Sequence, residues 1–82
     1  MKWYFYLHID GDVIGKNPIV VDEGYFDSPF VKKFWFVETS GDFIKFINEA
    51  KNLGANRNKL DRLIEEQGLN KDDVYKEGYD AE

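Results

Sequence analysis

"FVKKFWFVETSGDFIKFINEAKNLG", residues 30–54, changes its apolar period halfway along, and that change decides the fold. Up to Val37 the residues alternate, with Val31, Trp35 and Val37 on one side and Phe30, Phe34 and Phe36 on the other. This is the two-residue repeat of a strand. Beyond Thr39, the residues Phe43, Ile44, Phe46, Ile47, Ala50 and Lys51 recur at the spacing of a helix. Thr39 or Ser40 caps it, Asp42 lies in its first turn, and Gly54 stops it. A strand feeding directly into an amphipathic helix implies a sheet with helices laid on one face. Because both faces of the strand are apolar, a central place in that sheet is predicted for it.

Working toward the N-terminus, "KWYFYLHI" (2–9) alternates Trp3, Phe5, Leu7 and Ile9 with Tyr4, Tyr6 and His8, and reads as the first strand. "NPIVVDE" (17–23) is a β-branched run behind Pro18, suited to a second strand near an edge because proline cannot donate to a ladder. "GYFDSPF" (24–30) is a connection with turn chemistry. Toward the C-terminus, "NRNKLDRLIEEQG" (56–68) is a second helix, capped by Asn56, with Leu60, Leu63 and Ile64 as its buried stripe and Gly68 at its end. "NKDDVYKEG" (70–78) adds one or two turns, with Asn70 and Asp73 near capping-box spacing. The expected class is α+β: a small antiparallel three-stranded sheet packed on two helices plus a short C-terminal helical turn, in β-β-β-α-α order. Residues 1–78 form the single domain, and residues 79–82 a frayed acidic end.

Eighty-two residues support one core, and without cysteine that core is apolar packing alone, rich in aromatic area. Neither a signal peptide nor a membrane-length apolar run is recognisable, so a cytoplasmic, non-membrane protein is expected. Residues 1–64 balance nine acids against nine lysines and arginines, whereas residues 65–82 carry seven acids against Lys71 and Lys76. The net charge of -5 is therefore a C-terminal property.

The most motif-like stretch, "HIDGDVIGKNP" (8–18), invites reading as a phosphate loop. It lacks the spacing, hydroxyl and following helix that such a loop needs, so it reads as a hairpin corner with Gly11 and Gly15 at positive φ. Asp10 and Asp12 begin like a calcium loop, but Ile14 and Val21 stand where further oxygen ligands belong. His8 is the only histidine, which excludes sites needing two. Asp61, Glu65 and Glu66 lie among Arg57, Lys59 and Arg62, the composition of a solvated helix face. No catalytic set, metal site or cofactor is expected, and the chain reads as a non-enzyme.

Two binding surfaces are left. "KKFWFVET" resembles the strand consensus of the RNA-recognition-motif family through Lys32, Phe34, Phe36 and Val37. Lys33, Trp35 and Thr39 depart from that consensus and no helix precedes the strand, so the resemblance implies base stacking rather than that family's fold. A face of Tyr4, Tyr6, Phe34 and Phe36 with Lys32 beside it would stack single-stranded nucleic acid, unless those rings are core beneath the helices. "LIEEQGLNKDDVYK" (63–76) has helix-turn-helix shape with Leu69 packing behind, but its second helix is too acidic to read DNA. The acidic segment instead suits a basic protein surface, through Glu66, Asp72, Asp73 and Glu77, with Tyr75 and Tyr79 as anchors. The expected function is a protein-binding module, an acidic inhibitor or adaptor of a basic nucleic-acid-processing protein. Single-stranded nucleic-acid binding through the aromatic face is the alternative, and homo-oligomerisation through that face is a further option.

Overall fold

The structure, a computed structural model, describes residues 2–17 and 28–80, the side chains of 76–80 excepted. Strands β1 (Trp3–His8), β2 (Val13–Lys16) and β3 (Val31–Val37) precede helices α1 (Ser40–Asn52), α2 (Arg57–Glu66) and α3 (Lys71–Asp80). The fold is α+β, with an antiparallel sheet ordered β2-β1-β3. Among the described strands β1 is therefore central, not β3 as the two apolar faces of β3 suggested. Side-chain polarity reports what covers a face, not how many strands flank an edge. On β1, Phe5 and Leu7 are buried on the helix side and Tyr6 is buried on the other. On β3 the outer row, Phe34 and Phe36, stays 41% and 42% exposed.

The hairpin corner is shorter than the sequence suggested, and β2 occupies part of it. His8 N–H donates to the Asp12 carbonyl at 2.8 Å and Gly11 N–H to the His8 carbonyl at 3.0 Å, closing a turn over residues 9–12. Gly11 takes φ +92°, and Asp12 N–H donates to the Asp10 carboxylate at 2.9 Å. Gly15 does not share the positive φ expected of it: it is a strand residue paired with Phe5. Its missing side chain serves packing, because a Cβ there would lie 2.9 Å from Phe5 Cε1. Ile9, expected in the inward row, is 62% exposed, since a register shift between Leu7 and His8 breaks the alternation. Of the second strand predicted over 17–23, all but Asn17 lies outside the described residues.

The core forms where Phe5, Leu7 and Val37 of the sheet meet Phe43, Phe46, Ile47 and Ala50 of α1. Phe46 is its hub, stacked on Phe5 at 4.5 Å between centroids and packed against Trp35 at 5.0 Å. Thr39 caps α1, and its capping box uses Asp42, whose carboxyl is held below its ordinary pKa by the N–H groups of Glu38 and Thr39. Asn56 caps α2 by accepting from Lys59 N–H. The third helix is longer than one or two turns and runs through Gly78. Val74 is buried in the common core, and the buried Asn48 of α1 donates to its carbonyl at 3.0 Å. At its start Asn70 accepts from Asp72 N–H at 2.8 Å, one residue earlier than the predicted partner.

Candidate functional site

The α2–α3 turn gathers the C-terminal acids. Gly68, at φ +72°, lets its own N–H reach the Glu65 carbonyl at 2.9 Å and Leu69 N–H reach the Ile64 carbonyl at 3.1 Å. This paired closure ends α2 and reverses the chain. The last turn of α2 thus comes beside the first turn of α3, and Glu65, Glu66, Asp72 and Asp73 are all exposed. None of the four makes an ion pair among the described residues. A groove of about 330 Å³ opens there, bordered by Asp61, Glu65, Leu69, Lys71 and Asp72, with Glu66 and Asp73 outside its lining. Leu69, expected to pack behind the turn, is 36% exposed there.

Tyr75 sits differently from the anchor role that the sequence suggested. It is half-buried, its hydroxyl donates to Asp61 Oδ1 at 2.7 Å, and the Arg57 guanidinium lies 3.9 Å from its ring centroid. Burial, with the bond to Asp61, pushes its hydroxyl up to about 12. Arg57 also pairs with Asp61 at 3.7 Å, and Lys51 of α1 lies 5.3 Å from the ring. Tyr75 therefore ties α3 to α1 and α2. The side chains of Glu77 and Tyr79 lie outside what the structure describes, and Glu66, Asp72 and Asp73 are exposed at the α2–α3 end, Asp72 at the groove and Glu66 on the sheet side of α2.

The aromatic face is smaller than the sequence suggested. Register aligns Lys16, Tyr4 and Phe36 in one row across the sheet and Ile14, Tyr6 and Phe34 in the next. Tyr4 touches Phe36 at 4.8 Å between centroids, and these rings face away from the helices rather than forming the core under them. Tyr6, however, is fully buried and Tyr4 half-buried, leaving Phe34 and Phe36 as the exposed rings of these rows. Lys32 does not accompany them: its ammonium donates to the Leu53 carbonyl at 2.8 Å, at the end of α1. The cation that register places in the row is Lys16, which the loop-like reading of residues 8–18 concealed.

The hairpin corner is held by the helices. Lys59 of α2 meets Asp12 at 2.9 Å and keeps its carboxyl below the ordinary value, while Asn56 N–H donates to the Gly11 carbonyl at 2.8 Å. The Asp12 carboxylate thus ties the β1–β2 turn to the α1–α2 connection. No helix among the described residues is long and apolar enough to cross a membrane. Compared with known proteins, the chain matches no family model, no curated protein and no solved structure.

Proposed function

We propose that this chain is a non-catalytic protein-binding module whose α2–α3 end docks on a basic protein surface, as an acidic inhibitor or adaptor would. One observation carries the reading: Glu65, Glu66, Asp72 and Asp73 are all exposed at the α2–α3 end without ion pairs among the described residues. Of the nearby cations, Arg57 and Lys59 pair with Asp61 and Asp12, and the exposed Arg62 and Lys71 leave the four acids in excess. A patch with acids in excess and one exposed leucine beside them steers a positively charged partner and offers it apolar contact. A partner whose basic surface normally meets nucleic acid has the matching charge.

The test compares the wild-type chain with a Glu66→Gln, Asp72→Asn, Asp73→Asn variant as bait in nuclease-treated lysate of the source cells, read by mass spectrometry. The expected result is a basic protein retained by the wild type, released by salt and lost with the variant. Retention indifferent to the three substitutions overturns the reading. The second reading, single-stranded nucleic-acid binding, draws on the exposed Phe34 and Phe36, with Lys16 across Tyr4 in the Phe36 row. It requires oligonucleotide affinity that falls with Phe36→Ala and is unaffected by the acidic substitutions.

A further inference from the structure

The carbonyl end of α2 lies over the start of the sheet and leaves a notch there. Its boundary is Trp3, Phe5, Gly15, Leu63, Glu66 and Gln67, enclosing about 240 Å³. The floor is aromatic: Trp3 is 38% exposed and stacks on Phe5 at 6.4 Å, with 28° between the ring planes. Gly15 keeps that floor open, since a Cβ there would lie 3.6 Å from Trp3 Cε3 as well as against Phe5. Leu63 supplies an apolar wall.

Three features of the notch select a cation, and they arise independently. The face of an indole ring carries the negative lobe of its quadrupole. The carbonyl end of a helix carries partial negative charge, and the last turn of α2, whose Leu63, Ile64 and Glu65 carbonyls accept from Gln67, Gly68 and Leu69, holds no basic residue to offset it. Glu66, at that end, is an exposed carboxylate with no ion pair among the described residues. An apolar wall beside an aromatic floor also suits a long aliphatic stem. A guanidinium meets all of this better than an ammonium, because its plane stacks on the indole while its edge donates to a carboxylate and to the Gln67 amide oxygen.

We propose that this notch receives one arginine side chain of the basic partner, with Trp3 beneath the guanidinium and Glu66 at its edge. The proposal rests on the protein-binding reading above and names the contact that reading lacks.

The test titrates the isotope-labelled full chain with an oligo-arginine peptide at low ionic strength, following the indole N–H signals of its two tryptophans, Trp3 and Trp35. Trp35 is an internal control, since its N–H donates to Glu49 at 2.6 Å away from the notch. The expected result is a saturable shift of Trp3 with Trp35 unmoved, and weaker binding of an oligo-lysine peptide. Glu66→Gln should weaken binding by about 10-fold, and Trp3→Leu by about 3-fold. Glu66 is exposed, so its variant tests the contact even where Trp3→Leu unfolds the chain. Saturable binding that leaves Trp3 unmoved, ignores Glu66→Gln and disappears in Asp72→Asn, Asp73→Asn overturns the notch while sparing the acidic-surface reading. Absence of arginine-peptide binding overturns both.

Discussion

The carbonyl ends of α1 and α2 are treated in opposite ways. Lys51 lies in the last turn of α1, and Lys32 reaches from a strand to place its ammonium 2.8 Å from the Leu53 carbonyl. The last turn of α2 has no cation and carries Glu65 and Glu66 instead. Negative charge at a helix carbonyl end opposes the macrodipole, at a cost of about 0.3–1 kcal/mol per group at exposed positions. One end has its charge balanced from within the chain, and the other faces solvent unbalanced. The difference teaches where this surface is arranged for the fold's own stability and where it is left for contact.

That comparison depends on one core holding both helices, and the largest expected effect comes from removing its hub. Phe46→Ala should cost about 3–5 kcal/mol in urea unfolding, loosening both helix ends together. A loss confined to one helix by hydrogen exchange would show that the two ends are not carried by a common core. Gly15→Ala presses on the same core from β2: its Cβ meets Phe5 at 2.9 Å, and relieving that contact should cost about 1–3 kcal/mol. An unchanged melting temperature would show that the sheet yields there without strain.

Tyr75 sharpens the contrast from the α3 side. Its hydroxyl titrates near 10.0 when unfolded and is pushed up to about 12 when folded. The raised value means that its contribution to stability is complete below pH 10 and is lost as pH rises toward the folded value. Denaturation midpoints measured across that window should fall for the wild type and fall less steeply for Tyr75→Phe. At neutral pH the same substitution should cost about 0.5–1.5 kcal/mol for the lost bond to Asp61.

The smallest effects test the comparison itself. Lys32→Met should destabilise by about 0.3–1 kcal/mol by leaving the α1 end unbalanced, whereas Glu66→Lys should stabilise by a similar amount. Thermal melts at low and high salt check both, since screening should shrink each difference. The reversal at Glu66 should also abolish arginine-peptide binding, so that one substitution raises stability while removing contact. If Glu66→Lys destabilises the fold, the α2 end is not the unbalanced one.

Much of this architecture is legible along the chain because it depends on neighbours. The change of period after Val37, the capping box of Thr39 and Asp42, the Asn56 cap, and the turns at Gly54 and Gly68 all involve residues within a few positions of each other. Polarity alone cannot rank the strands: it predicts a central β3, whereas β1 is central among the described strands. It also could not separate a glycine needed for positive φ, Gly11, from one needed for space, Gly15. The acids of the candidate site were visible as a charge imbalance, but Trp3 was not, because its strand parity groups it with the buried Phe5 and Leu7.

By itself, the sequence determined the α+β class, the helix boundaries set by local caps, and the C-terminal location of the negative charge, since periodicity, capping and composition act over a few residues. Only the tertiary structure decided that Lys32 closes the end of α1, that Tyr75 binds its own chain through Asp61, and that Trp3 and Glu66 border one notch. Those pairings join residues far apart in the chain, and their partners are chosen by how helices settle on a sheet rather than by any spacing along it.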